Sequence, residues 1–359
     1  MTLRAFGSPH RYVQGPGALA RLGEFAALYG RRPFVVADAV VTQLLGARLC
    51  AELAGCEEAH VAAFAGECTA GEIDALAAQA RAAGADLVIG VGGGKAIDTA
   101  KGVRMALGVP VIIVPTIASN DSPTSRLAVL YTPEHVLSEV RLMSANPDVV
   151  LVDTTVIAKA PARFFAAGIG DALSKKFEVE QCHRAGGLNF YKARPTRLAL
   201  VAADACYRTI RAEGEAALAS VARHEADAAV EDVVEATILL SGLAFESGGL
   251  SIAHSLTRGF SAIADMGRAL HGEQVAFGLL VQLAAEGRDD AFLADVRAFC
   301  VRLGLPVSLA AFGIGDVAAA VERIVEVSWE TAPYIRNFAA PISPDVLKQA
   351  FARVEQGAG

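Results

Sequence analysis

Asp86-Leu87-Val88-Ile89-Gly90-Val91-Gly92-Gly93-Gly94-Lys95-Ala96-Ile97-Asp98 is the stretch on which the reading of the fold turns. An apolar run of strand length passes directly into three glycines, and Ile97 to Leu107 continues with helical spacing. Glycines at a strand-to-helix turn let the backbone adopt positive φ and approach an anion closely. The helix start adds free N–H groups and the positive end of its dipole. In physical terms this is a pyrophosphate site, although its spacing is neither the G-x-G-x-x-G fingerprint nor a Walker loop. Gly93 and Gly94 form the expected cradle. Lys95 reaches phosphate or ribose, and Asp98 caps the helix or binds a hydroxyl.

Outward from that turn, strand-like and helical patterns alternate over the first 155 or so residues. Phe34-Val35-Val36-Ala37, His60 to Phe64 and Val111 to Val114 read as strands; Val40 to Leu53 and Gly71 to Ala83 read as helices. Such alternation predicts βαβ units and a mostly parallel sheet. Leu127 to Tyr131 and Val136 to Met143 form a strand pair around Thr132-Pro133-Glu134, and Val149 to Val152 closes the sheet. From Thr155 onwards nearly everything has helical period. The expected organisation is an α/β domain over 1–160, carrying the pyrophosphate turn, and an all-helical domain over 161–359, with a ligand cleft between them.

Composition narrows the class. The chain has 359 residues, 53% hydrophobic and 20% charged, which suits two packed cores. A net charge of −7 lacks the basic footprint of a nucleic-acid binder. Val109 to Ala118 is too short and too interrupted by Pro110 and Pro115 to span a membrane. No apolar signal core follows Met1-Thr2-Leu3-Arg4, and the six cysteines include no C-x-x-C pair. A cytoplasmic protein with reduced thiols is expected.

Two further places invite a ligand. Asp38 ends the first strand; it serves as a helix N-cap, or it accepts the ribose hydroxyls and repels a 2′-phosphate, which favours NAD over NADP. The hydroxyl-dense segment Val114 to Ser125 leaves the fourth strand and holds one carboxylate, Asp121. In the second half, Asp171 reads as lying in the first turn of a helix opened by Gly168-Ile169-Gly170. His254 follows the turn Ser247-Gly248-Gly249, and His271 opens another apolar helix. Each is compatible with an ordinary structural role. Together, a carboxylate and two neutral imidazoles are a normal ligand set for zinc or iron with positions left open for substrate.

At these residues the chain resembles the iron-containing alcohol dehydrogenase superfamily, and within it the glycerol dehydrogenase branch. The shared motifs are Tyr12-Val13-Gln14-Gly15, Gly92-Gly93-Gly94-Lys95 with Asp98, and Pro115-Thr116-Ile117-Ala118-Ser119-Asn120-Asp121. Further on come Gly168-Ile169-Gly170-Asp171-Ala172-Leu173, Phe245-Glu246-Ser247-Gly248-Gly249-Leu250 with His254, and His271-Gly272-Glu273-Gln274-Val275-Ala276-Phe277-Gly278. The resemblance implies a dehydroquinate synthase-like architecture and a homo-oligomer. It implies one divalent metal, zinc before iron, on Asp171, His254 and His271, with Asp121 beside the substrate hydroxyl. By the same resemblance Gly94, Lys95, Asp98, Thr116, Ser119, Ser125, Leu127 and Tyr131 line the dinucleotide.

The implied reaction is NAD-dependent oxidation of a small polyol, such as a glycerol-like vicinal diol, to a hydroxyketone. Two departures from the glycerol pattern, Lys175-Lys176 and Thr257-Arg258, bring in a hydroxycarboxylate or 2-oxo acid as the alternative substrate. Lys175 is one helical turn past Asp171. A cation there suits an anionic substrate, whereas two adjacent lysines mark a solvated helix edge; the expectation is the solvated edge. A lyase of the dehydroquinate synthase kind and a non-catalytic nucleotide binder are the more remote readings.

Overall fold

The computed structural model describes residues 3–133 and 136–357; Glu134 of the predicted turn lies outside them. Among the described residues eight strands are formed: β1 Arg11–Gly15, β2 Pro33–Asp38, β3 His60–Phe64, β4 Leu87–Gly92, β5 Val111–Pro115, β6 Leu127–Tyr131, β7 Leu137–Leu142 and β8 Val149–Asp153. Six make one all-parallel sheet in the order β1-β8-β5-β4-β2-β3. β6 and β7 pair antiparallel as a separate hairpin. The expectation that Val149 to Val152 closes the sheet needs correction. β8 is an inner strand, and the edge is β1, whose half-exposed Arg11-Tyr12-Val13-Gln14 gives little apolar signal.

Parallel strands covered on both faces are continuously apolar rather than alternating, and β4, β5 and β8 are buried at every residue. One face packs Val35, Ala37, Ile89, Val91, Ile112 and Val114 against Leu19, Leu22, Phe25 and Leu49. Against the other face lies the Gly94–Leu107 helix. A Cβ on Gly90 would stand 2.6 Å from the Ala100 Cβ, so only glycine admits that helix so close to the strand.

The chain forms two compact units. One comprises Gly7–Pro161 with Ser220–Leu239; the other comprises Met1–Phe6, Ala162–Ala219 and Leu240–Gly359. A single cut near residue 160 therefore does not describe the division. The 220–239 segment is held to the α/β unit by side chains far apart in sequence. Gln14 Nε2 donates to Glu231 Oε2 at 2.7 Å, Thr154 donates to Glu231, and His224 Nδ1 lies 3.1 Å from the Ala158 carbonyl.

The second unit is built of helices, among them Ala162–Ala185, Ile252–Ser261, His271–Ala285, Val317–Thr331 and Pro344–Gln356. They pack closely at glycines. A Cβ on Gly170 would meet the Gly272 carbonyl oxygen at 2.6 Å, one on Gly272 the Ala167 oxygen at 1.7 Å, and one on Gly278 the Ala253 oxygen at 2.6 Å. The motif glycines are therefore contact points where the helices bearing Asp171, His254 and His271 touch backbone to backbone.

Candidate active site

In the α/β unit the order of strands reverses between β2 and β4. Their carboxyl ends carry Asp38 and the Gly92-Gly93-Gly94 turn, which is where ligands bind in doubly wound sheets. Gly92 has φ +150°. Gly93 is the N-cap of the Gly94–Leu107 helix and no side chain caps that terminus, which leaves its first N–H groups to an outside anion. A Cβ on Gly94 would come within 3.0 Å of Asn120 Nδ2, so the cradle is walled by the loop after β5.

Asp38 caps the Ala39–Glu52 helix, accepting from Val41 N at 2.8 Å, and its Oδ2 is 3.6 Å from where a Gly92 Cβ would stand. It thus holds both places that the sequence offered, a cap and a carboxylate at the glycine turn. One expectation changes, at Asp98, and Lys95 is engaged within the protein. Lys95 pairs with Glu67 Oε2 at 2.7 Å and lies 5.6 Å from the Tyr131 ring centre. Asp98 is not a cap: it is buried in the helix, accepting from Ser122 Oγ at 2.7 Å and Val129 N at 3.1 Å.

Lys101, unremarked in the sequence, is fully buried and donates to Asp98 Oδ1, the Ser122 carbonyl and the Leu127 carbonyl at 3.2, 2.7 and 2.6 Å. It fixes the loop carrying Asp121, Ser125 and Leu127, all buried. Thr116 donates its N–H to the Gly92 carbonyl at 3.1 Å, tying that loop's start to the glycine turn; Ser119, further along it, is partly exposed.

In the helical unit, Asp171, His254 and His271 each present a ligand atom within 4.8 Å of the others. Asp171 Oδ1 is 3.1 Å from His254 Nε2 and 3.9 Å from His271 Nε2. Asp171 is not in a first turn: its helix begins at Ala162, and the preceding glycines serve the helix contact already described. The carboxylate is 1% exposed, and its Oδ2 has no hydrogen-bond partner among the described residues. A buried orphan oxygen is costly unless something cationic meets it. A carboxylate and two imidazoles whose ligand atoms lie this close together, with one carboxylate oxygen unpartnered, fit a divalent cation.

Glu178, two turns past Asp171 on the same helix, is the positioning residue that sequence reading passed over. Its Oε1 accepts from the backbone N–H of Ser251 and His254, both at 3.0 Å, at the start of the Ile252–Ser261 helix. Its Oε2 lies 2.5 Å from His254 Nδ1. That pairing fixes the tautomer and directs Nε2 at Asp171. Burial disfavours charge on each of these groups, and the neighbours outweigh it. Lys175 and His254 hold Asp171 well below the usual carboxylate range, His254 and Lys175 lower Glu178, and Glu178 raises His254 to about 9. Glu178→Gln removes the anion behind His254. Chelator competition should show zinc affinity falling about 10–100-fold; an unchanged affinity would assign Glu178 to helix capping alone.

The solvated reading of Lys175 is overturned. It is fully buried, with Nζ 2.6 Å from Asp171 Oδ1 and 3.0 Å from His254 Nε2. The solvated edge belongs to Lys176, which pairs with Asp204 and Glu180. Thr257 returns its hydroxyl to the His254 carbonyl at 2.7 Å.

Residues 9–154 match the family model described as iron-containing alcohol dehydrogenase. The chain is 40% identical over 358 residues to a glycerol dehydrogenase of Escherichia coli O6:H1, covering 98% of this chain and 97% of that protein. It is 38% identical to a glycolaldehyde reductase of Halobacterium salinarum, covering 98% and 97%. The crystal structure of a probable glycerol dehydrogenase from Sinorhizobium meliloti 1021 superposes with TM-score 0.94 at 36% identity, over 99% of both chains. With likeness at this level over nearly the full length of both chains, the chain belongs to the iron-containing alcohol dehydrogenase family, in its glycerol dehydrogenase branch.

Proposed function

We propose that this oxidoreductase, which acts on a CH–OH group, uses NAD to oxidise a small vicinal diol such as glycerol to a hydroxyketone. One divalent ion, zinc before iron, is held by Asp171, His254 and His271. The observation that carries this is the buried Asp171 carboxylate, whose Oδ1 lies 3.1 and 3.9 Å from the Nε2 atoms of His254 and His271 and whose Oδ2 has no hydrogen-bond partner among the described residues. When bound, the ion supplies a Lewis acid that lowers the pKa of the substrate hydroxyl, and the nicotinamide supplies the hydride acceptor.

The chain's own residues do the rest. Glu178 orients His254. The uncapped helix start at Gly93 and Gly94 binds pyrophosphate, with Thr116, Ser119, Ser125, Leu127 and Tyr131 along the dinucleotide. Lys101 and Asp98 hold the loop on which Asp121 stands to relay the hydroxyl proton. No helix among the described residues is long and apolar enough to cross a membrane; a cytoplasmic homo-oligomer is part of the proposal.

Lys175 is the feature that would favour a 2-oxo acid. With Nζ buried against Asp171 and His254 it is engaged within the ligand set, and the polyol reading is preferred. NADH absorbance on a panel of diols and 2-oxo acids with zinc-loaded enzyme tests this. Faster turnover of any 2-oxo acid than of every diol would overturn it.

Asp38 makes a second prediction. Asp38→Gly should bring NADP turnover to within about tenfold of NAD, because the carboxylate opposing a 2′-phosphate is gone. Glycine is itself a fair N-cap, so the helix loses only a few tenths of a kcal/mol and stability should not confound the ratio. Equal kcat/KM for both cofactors in the parent enzyme would refute the role given to Asp38.

A further inference from the structure

The buried ammonium of Lys175 stands among the atoms that are read here as metal ligands. Nζ is 2.6 Å from Asp171 Oδ1 and 3.0 Å from His254 Nε2, and those two atoms are 3.1 Å apart. Zinc bonds oxygen and nitrogen at about 2.0–2.2 Å. With the ligand atoms where they stand, any ion held by both lies no farther than about 4 Å from Nζ, whichever side it enters. A divalent ion and an ammonium at that separation repel strongly in a water-poor site. The lysine is in turn kept in place by its surroundings: it is fully buried, and the Phe245 ring lies 5.7 Å from Nζ.

We propose that Lys175 is a resident stand-in cation for this site. Without metal it neutralises Asp171 and keeps the ligand set assembled; a divalent ion enters only against it, so the metal is held weakly and exchanges. This rests on the reading that Asp171, His254 and His271 hold a divalent ion. The role is that of a positioning and affinity-setting residue, and it extends to a chain that keeps its fold when stripped of metal.

Two readouts should move in opposite directions in Lys175→Met, where a neutral chain of similar length replaces the ammonium, and in the smaller Lys175→Thr. Enzyme stripped with chelator is titrated with zinc against a chromogenic competitor, and separately with ferrous iron under argon. Both variants should bind at least tenfold more tightly than the parent, the worth of one charge-assisted hydrogen bond that metal entry no longer breaks. Metal-free melting temperature should fall in both, because a buried carboxylate loses its counter-charge. The rise in melting temperature on adding zinc should then be larger than in the parent. Affinities within threefold of the parent in both variants would overturn the stand-in role, as would equal loss of stability with and without zinc, the pattern of a merely structural lysine. Failure of all three proteins to take up either metal would overturn the metal reading itself, and this inference with it.

Discussion

His271→Ala should reduce turnover of a diol by about a thousandfold or more, the several kcal/mol that a Lewis acid contributes at a developing alkoxide. NAD binding, followed by fluorescence quenching, should change less than threefold. His271 is the cleanest of the three proposed ligands to remove. Its side chain is 44% exposed, whereas removing Asp171 or His254 strands buried Lys175 or Glu178. The glycine turn belongs to the other compact unit, so the two functions are expected to separate. A folded His271→Ala enzyme that loses NAD binding and turnover together would contradict the assignment. Full activity in metal-free parent enzyme would remove the metal from the reaction altogether.

Gly272→Ala should be the most damaging single methyl group in the molecule. The added carbon would stand 1.7 Å from the Ala167 carbonyl oxygen, which is helix backbone and cannot turn aside. Overpacking commonly costs about 1–3 kcal/mol, and a backbone clash this deep should reach or exceed ~3 kcal/mol because only a shift of a whole helix relieves it. That shift moves His271 away from Asp171, so metal affinity should fall with stability. Chemical denaturation and zinc competition on one preparation would show both losses. A variant with parental stability would mean that the contact opens freely, and that the Gly272 spacing does not set the ligand geometry.

The parallel sheet and its glycine turn were legible because the signals are local: an apolar strand, three glycines and a helix in one uninterrupted run. The ligand set was legible as residue types, and its assembly came only from the likeness to a family. What the chain concealed depends on contacts between distant elements. Gly168-Ile169-Gly170 looks like a helix start because glycine is poor in helix interiors; Gly170 is there so that another helix can lie against it. Lys175 looks solvated because Lys176 is adjacent, yet one residue turns a helix by about 100° and only one of the two faces water. β1 is short and half-exposed. The 220–239 segment reads as part of the helical half because nothing local reveals that Gln14 and Thr154 hold Glu231.

Asp171, Lys175 and Glu178 stand at intervals of four and three along one helix, so a single face carries one proposed ligand, the lysine paired with it and the carboxylate that aims a second proposed ligand. The helix works as a ruler whose graduations are turns. Substitution can erase one mark and leave the others readable. A one-residue insertion or deletion between Asp171 and Glu178 swings everything beyond it through about 100° and strips His254 of its support, although every side chain of the set is still present in the chain. The segment between Asp171 and Glu178 should therefore tolerate exchange of residues at many positions and a change of length at none.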